Sequence, residues 1–425
     1  MNASKDVRLE LSRRSFLSAG LAGIAVGALT ACNSERKNIA EFKAPNGTDD
    51  ESWADIRAQF ITAPGVVFMN NASISMPPGP VANAAAQAFK TVSQNPIAAK
   101  HELNDLIQHS LTPCLARLVG ADDSEIVLTR NASEALHIAA TGLRLKPGDE
   151  VLITTQEHPA GRRPWRFRAQ RDGVKVTEVF VPSPISEKQQ AIDLISKKIT
   201  PNTRAIAFCH VTRGGHLYPV RELANIAQKR GITTIVDGAQ ALGMFKIDLN
   251  SLGCDAYAAS LHKWMLGPMG TGMLYIREEA RDRFQSVFDP ISTQDQPNYQ
   301  PTGTMDLPVK AGLDAALTFV EKIGLEAIGN RNRRLSNYLK TQLSGLAGIK
   351  ILSGPTPETS APGSTIFEMD GVDADDAVTI LAEKHGSHID EHKRDGHNAI
   401  RISTHFYNTE SQIDHVTKAL SSLKT

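Results

Sequence analysis

Lys263 stands in Ser260-Leu261-His262-Lys263-Trp264, just after the apolar run Ala256 to Ala259, and Asp237 opens Asp237-Gly238-Ala239-Gln240 just after the run Thr233 to Val236. An acid and an amine at the ends of successive apolar runs are the two groups required at opposite ends of one flat heterocycle that carries a ring nitrogen and an aldehyde. Pyridoxal 5'-phosphate (PLP) is such a group. In that chemistry the carboxylate keeps the pyridine nitrogen protonated, so that the ring accepts electrons from a substrate carbanion. The lysine forms a Schiff base, is displaced by an amino-acid substrate and then serves as general base at the alpha carbon. Taken singly, the acid reads equally as a helix cap and the lysine as a surface amine. Both in this order, with Gly267-Pro268-Met269-Gly270-Thr271-Gly272 following, form a specific pattern.

A sheet has to hold these groups, since reactive side chains in open α/β folds collect beyond the carboxyl ends of the strands. Apolar runs recur at 125–129, 150–154, 174–181, 205–209, 233–236, 256–259 and 272–276, with helical patterns between them, as at 220–229. That alternation predicts an α/β large domain whose mainly parallel sheet is covered on both faces. Helices are expected before it near 53–60, 82–93 and up to Val119-Gly120. Beyond about residue 310, helices over 311–323 and 332–346 precede short strands near 349–352 and 364–369, a helix over 375–385 and a strand over 400–403. This reads as a smaller α+β C-terminal domain. The expected boundaries are 51–310 for the large domain, its N-terminal segment joining the small one, and 311–425 for the small domain.

Lysine plus arginine equal aspartate plus glutamate at 46 each, so no overall field draws the chain to nucleic acid, and small substrates are expected. The four cysteines (Cys32, Cys114, Cys209, Cys254) form no CxxC pair, which indicates neither a zinc site nor a disulfide scaffold.

Ser12-Arg13-Arg14-Ser15-Phe16-Leu17 opens a glycine- and alanine-rich apolar stretch that ends at Leu29-Thr30-Ala31-Cys32. Residues 1–31 look like a twin-arginine export signal, and the last four are similar to a lipobox, giving an exported protein with a lipid anchor at Cys32. The alternative is a tail in which the arginine pair and the cysteine fall by chance. Residues 32–50 are polar and read as a linker.

The stretch from Val236 to Ile276 resembles the class V aminotransferase family of fold-type I PLP enzymes, with similarity over about residues 52–420. His158-Pro159-Ala160 with Pro164-Trp165, and Arg401-Ile402-Ser403 with Tyr407-Asn408, look most like its isopenicillin N epimerase-like branch. The resemblance implies a fold-type I PLP-dependent transferase architecture and a homodimer with shared active sites. It places Asn131, Ala132 and Ser133 around the cofactor phosphate at a helix start, where an ordinary helix cap reads nearly as well. It stacks His158 on the ring, gives Gln240 to the ring hydroxyl, and makes Ser260 and His262 phosphate ligands. Thr304 becomes a phosphate contact for the partner subunit, and Arg401 the fork for the substrate alpha-carboxylate.

Within the loop 210–216, Arg213 and His216 depart from the small polar residues usual in relatives; they either bind a second acidic group of the substrate or merely decorate the loop. The implied activity is epimerase- or lyase-like. Its alternatives are transamination to a keto acid and an exported protein that retains the fold without turnover. Epimerisation needs a second proton donor opposite Lys263, for which His216 and Tyr218 stand by loop position. Cysteine desulfurases carry their sulfur-accepting cysteine late in the chain; this sequence has none after Cys254, which disfavours that mechanism.

Overall fold

The computed structural model describes residues 42–288, 299–301 and 303–424. The export signal, Cys32 and the first part of the expected linker lie outside the described residues. No helix among the described residues is long and apolar enough to cross a membrane.

In chain order the strands are β1 (Val67–Phe68), β2 (Ile126–Thr129), β3 (Glu150–Thr154), β4 (Lys175–Val179), β5 (Thr203–Cys209), β6 (Thr233–Asp237), β7 (Ala256–Ser260), β8 (Gly272–Ile276), β9 (Ile349–Ile351), β10 (Ser364–Met369), β11 (Ser387–His388), β12 (Asp390–Arg394) and β13 (His397–Ser403). Seven of them form the central sheet in the order β2-β8-β7-β6-β5-β3-β4. All neighbours in it run parallel except β8, which lies antiparallel to both β7 and β2. Every residue of β3, β6, β7 and β8 is buried. Helices therefore cover both faces, as the continuous apolar runs require. Because β5, β6 and β7 are adjacent and parallel, their last residues Cys209, Asp237 and Ser260 come out side by side at one edge.

The second sheet is antiparallel, in the order β12-β13-β10-β9. The segment around β1 joins this part: β1 pairs with β11, and the Ser403 amide donates to the Met69 carbonyl at 2.7 Å. The helix Leu307–Ile323 begins earlier than expected because Asp306 caps it, accepting from the Val309 amide, and Pro308 suits its first turn.

Two local expectations need correction. The strand expected over 400–403 is half of a longer hairpin, since β12 and β13 meet in the two-residue turn Asp395-Gly396, both at positive φ (54° and 83°). Asp-Gly is the residue pair that such a turn favours. The charged run Asp390-Glu391-His392-Lys393-Arg394 hid the strand because it has no apolar alternation. The linker expected up to residue 50 also ends sooner. Phe42 is buried against Phe319, and Asp50 pairs with the fully buried Arg331, so this stretch is packed onto the body.

Candidate active site

Asp237 ends β6 with its side chain buried. Its Oδ1 accepts the Ala239 amide at 2.9 Å, and Oδ2 has no hydrogen-bond partner among the described residues. Gly238 follows because the backbone turns here against Tyr257: a Cβ would lie 1.9 Å from the ring. Burial pushes the Asp237 carboxyl above its ordinary pKa, opposed by the Ala239 amide and by Lys263. A carboxyl in apolar surroundings behaves this way until a cation meets it, and a protonated ring nitrogen at Oδ2 would supply that cation.

Lys263 leaves the turn after β7 and lines the same pocket as Asp237. Burial pulls its amine down to about 8; Asp237 opposes this, while Arg401 and Arg213 add to it. About a tenth of the amine is therefore neutral and nucleophilic at pH 7, several hundred times the fraction of an ordinary lysine.

The helix Ala132–Gly142 points its start at this pocket. Asn131 caps it, accepting the Glu134 amide at 2.9 Å, and the Ala132 amide donates to Ser260 Oγ at 3.0 Å. The Ser260 hydroxyl proton is thus left to donate elsewhere. Gly272 of β8 backs this turn so closely that a Cβ would fall 2.5 Å from the Asn131 Cα. Backbone amides, two serine hydroxyls and a helix N-terminus form a donor set that suits a phosphate dianion.

His158 caps the helix Pro159–Asp172 through Nδ1, which accepts the Ala160 amide at 3.2 Å, and it stands at the pocket mouth. Partial burial and then the charges of Lys263, Arg213, Arg394 and Arg163 hold its imidazole down at about 4, so it is neutral. A neutral flat ring is the form suited to stacking.

The pocket is lined by Ala132, Ser133, His158, Asp237, Gln240, Ser260 and Lys263 among others, with Arg213 at its edge. The acid, the amine, the helix start and the ring wall of one flat phosphorylated heterocycle are all present on it, so these residues fit PLP.

Other expected residues are placed differently. Gln240 reaches the pocket, but its amide is already engaged: Nε2 donates to the Ala72 carbonyl at 2.8 Å and Oε1 accepts from Trp264 Nε1 at 3.0 Å. His262 does not line the pocket; its Nδ1 lies 3.1 Å from the Thr271 carbonyl. Thr304 is exposed and outside the lining. Arg401 is buried and outside the lining, held by Asp390 and by Asn70 Oδ1, though near enough for its charge to act on Lys263.

His216 is a correction. It is buried off the pocket, with Nε2 2.9 Å from the Leu352 carbonyl and Nδ1 facing Thr212 Oγ1 and Ser183 Oγ, so its ring ties the loop to the residue that follows β9 rather than lining the pocket. Tyr218 is likewise buried and off the lining. Neither presents a proton to the pocket.

Glu157 and the hairpin residues were missed. Glu157 is wholly buried beside the floor, where it accepts from Thr154 Oγ1 at 2.6 Å and from the Cys209 amide; burial, with Asp237 adding, pushes its carboxyl up to about 8. The hairpin tip grips the same loop: Asp395 accepts from Gln156 Nε2, and Arg394 donates to the Gln156 carbonyl at 2.7 Å. The Asp-Gly turn is the sequence signal that could have found the hairpin.

The Aminotransferase class-V family profile matches residues 67–416. The chain belongs to the class V aminotransferase family and is a PLP-dependent enzyme of that fold. It is 28% identical over 406 residues to isopenicillin N epimerase of Amycolatopsis lactamdurans, covering 88% of this chain and 98% of the relative. It is also 30% identical over 383 residues to a probable cysteine desulfurase of Halobacterium salinarum, covering 84% and 91%. The solved cysteine desulfurase CsdA of Escherichia coli superposes with a TM-score of 0.75 at 26% identity, covering 87% of this chain and 97% of that one.

Proposed function

We propose that this enzyme works at the alpha or beta carbon of an amino acid as an epimerase- or lyase-type catalyst, with Lys263 moving the alpha proton. The observation that carries the reading is Lys263, its amine lowered to about 8, facing Asp237 across one pocket. PLP, when bound, supplies a sink for the electron pair released when a bond to the substrate alpha carbon breaks. Asp237 would hold the ring nitrogen's proton and Lys263 would hold the aldehyde end. Ser133, Ser260 and the Ala132–Gly142 helix start would hold the phosphate, and His158 would cover the ring. Arg401 would receive the alpha-carboxylate as a planar two-point donor.

Sulfur transfer of the desulfurase kind is less well supported. It needs an accessible thiolate, yet the described cysteines Cys114, Cys209 and Cys254 are all buried, and burial raises the pKa of each. We also propose a homodimer in which Thr304 serves the partner's phosphate site, and export with a lipid anchor at Cys32.

The test is incubation of the holoenzyme with L- and D-amino acids in deuterium oxide. Solvent deuterium at the alpha carbon with inversion supports epimerisation, and ammonia with pyruvate supports elimination. Keto acid formation would instead assign transamination, and no exchange with any substrate would count against catalysis.

A further inference from the structure

Asp390 and Arg401 sit directly opposite each other on β12 and β13, a register fixed by the Asp395-Gly396 turn. Opposite charges across an antiparallel pair attract, and here Asp390 Oδ2 takes Nη2 of Arg401. The two side chains differ in setting. Arg401 is 3% exposed and does not reach the pocket lining, whereas Asp390 is 24% exposed. Asp390 is therefore the more accessible member of the pair, and it shares its carboxylate with Arg213, which does line the pocket.

Two further facts give the pair a function. Arg401 Nε is buried with no acceptor among the described residues, so the guanidinium has donor capacity left over. The same Asp390 Oδ2 also lies 3.5 Å from Nη2 of Arg213, which lines the pocket and is held by Glu391 Oε1 at 2.6 Å. Asp390 thus has a second cation within reach.

We propose that Asp390 is an internal competitor for Arg401: a substrate carboxylate binds Arg401 by displacing Asp390, which passes to Arg213. The proposal rests on Arg401 being the carboxylate site. It makes Asp390 a specificity-determining residue, because a ligand without a carboxylate has nothing to offer Arg401 in exchange. Arg213 then acts through Asp390, as the acceptor of the displaced group, and is a positioning residue.

The experiment is calorimetric titration of the holoenzyme with propionate, a carboxylate without an amino group. Asp390→Asn keeps the side-chain shape and removes the competing charge, and the expected result is propionate binding about five-fold tighter, the scale of one partly exposed ion pair. A residue that merely orients Arg401 would give weaker binding in the same variant, and weaker or unchanged binding overturns the proposal. Arg213→Gln should weaken propionate binding in the parent enzyme and have no effect once Asp390→Asn is present. Independent effects of the two changes would also overturn it. Should Asp390→Asn not yield folded holoenzyme, Arg213→Gln alone decides, and unchanged binding there overturns the proposal. Arg401→Ala separates the underlying reading: if propionate still binds that variant normally, Arg401 is not the carboxylate site, whatever Asp390 does.

Discussion

Ser260 Oγ accepts the Ala132 amide at 3.0 Å, tying the strand end that precedes Lys263 to the helix start at the phosphate end of the pocket. The two residues are 128 positions apart, and this bond, with the close approach of Gly272 to Asn131, joins the strand end that carries the amine to the helix start. Ser260→Ala removes the acceptor and a hydroxyl together. PLP should be retained about ten-fold less tightly, the worth of roughly 1.4 kcal/mol of hydrogen bonding. Equilibrium dialysis of the holoenzyme with absorbance readout measures this.

Lys263→Ala should abolish fixation of the chromophore to the protein by borohydride. It should also slow alpha-deuterium exchange by about 10²- to 10⁴-fold, the usual contribution of a positioned general base. Exchange at the parent rate would mean that another group moves the proton.

The lowered pKa of Lys263 has its own signature. Only the neutral amine attacks an aldehyde, so the rate at which apoprotein captures PLP should rise with pH and level off above about 8. An ordinary lysine would keep rising to about 10.5. Asp237 opposes the shift, so Asp237→Asn should move the midpoint lower still. Stopped-flow absorbance across pH 6 to 10 reads both, and a midpoint that stays put in Asp237→Asn would show that the two groups do not sense each other.

Much of this site was legible in the sequence because parallel strands end together. Once apolar runs gave β5, β6 and β7, the groups following each run had to share one edge, and Asp237, Ser260 and Lys263 do. What the sequence concealed depended on partners distant in the chain. His216 sits in a loop beside the site, but its direction is decided by the Leu352 carbonyl, 136 residues away. Glu157 neighbours His158 in a polar stretch that gives no hint of full burial. β12 was hidden because its charges are neutralised across the fold, Asp390 by Arg401 and Glu391 by Arg213, so the strand needs no apolar alternation.

Gly272 tests how far the sheet dictates the cofactor end. A Cβ there would meet the Asn131 backbone, and backbone cannot step aside by changing rotamer. Gly272→Ala should therefore displace the cap of the Ala132–Gly142 helix and cost PLP retention about ten-fold or more, while Gly270→Ala serves as a control. Gly270 has open space for a Cβ but a φ of 86°, so it should cost about 1 kcal/mol of stability through backbone strain with little effect on retention. Equal loss of PLP in both variants would remove the special role of the Gly272 contact.

His216 makes a prediction about stability instead of substrate. Burial lowers its imidazole from the ordinary 6.5 to about 4, so between those values the unfolded chain binds a proton that the folded chain refuses. Stability then rises with pH across that window, and is lost in acid, by about 3 kcal/mol on this group's account. His216→Gln removes that titration, so the slope of unfolding free energy against pH should flatten between about 4 and 6.5. The variant should also be less stable at pH 7 by about 1–3 kcal/mol, having lost bonds to Leu352 and Thr212. Denaturant unfolding at several pH values checks both. The KM for whatever amino acid proves to be the substrate should change less than two-fold, because the ring does not line the pocket. A large rise in KM with an unchanged pH slope would return His216 to the substrate site.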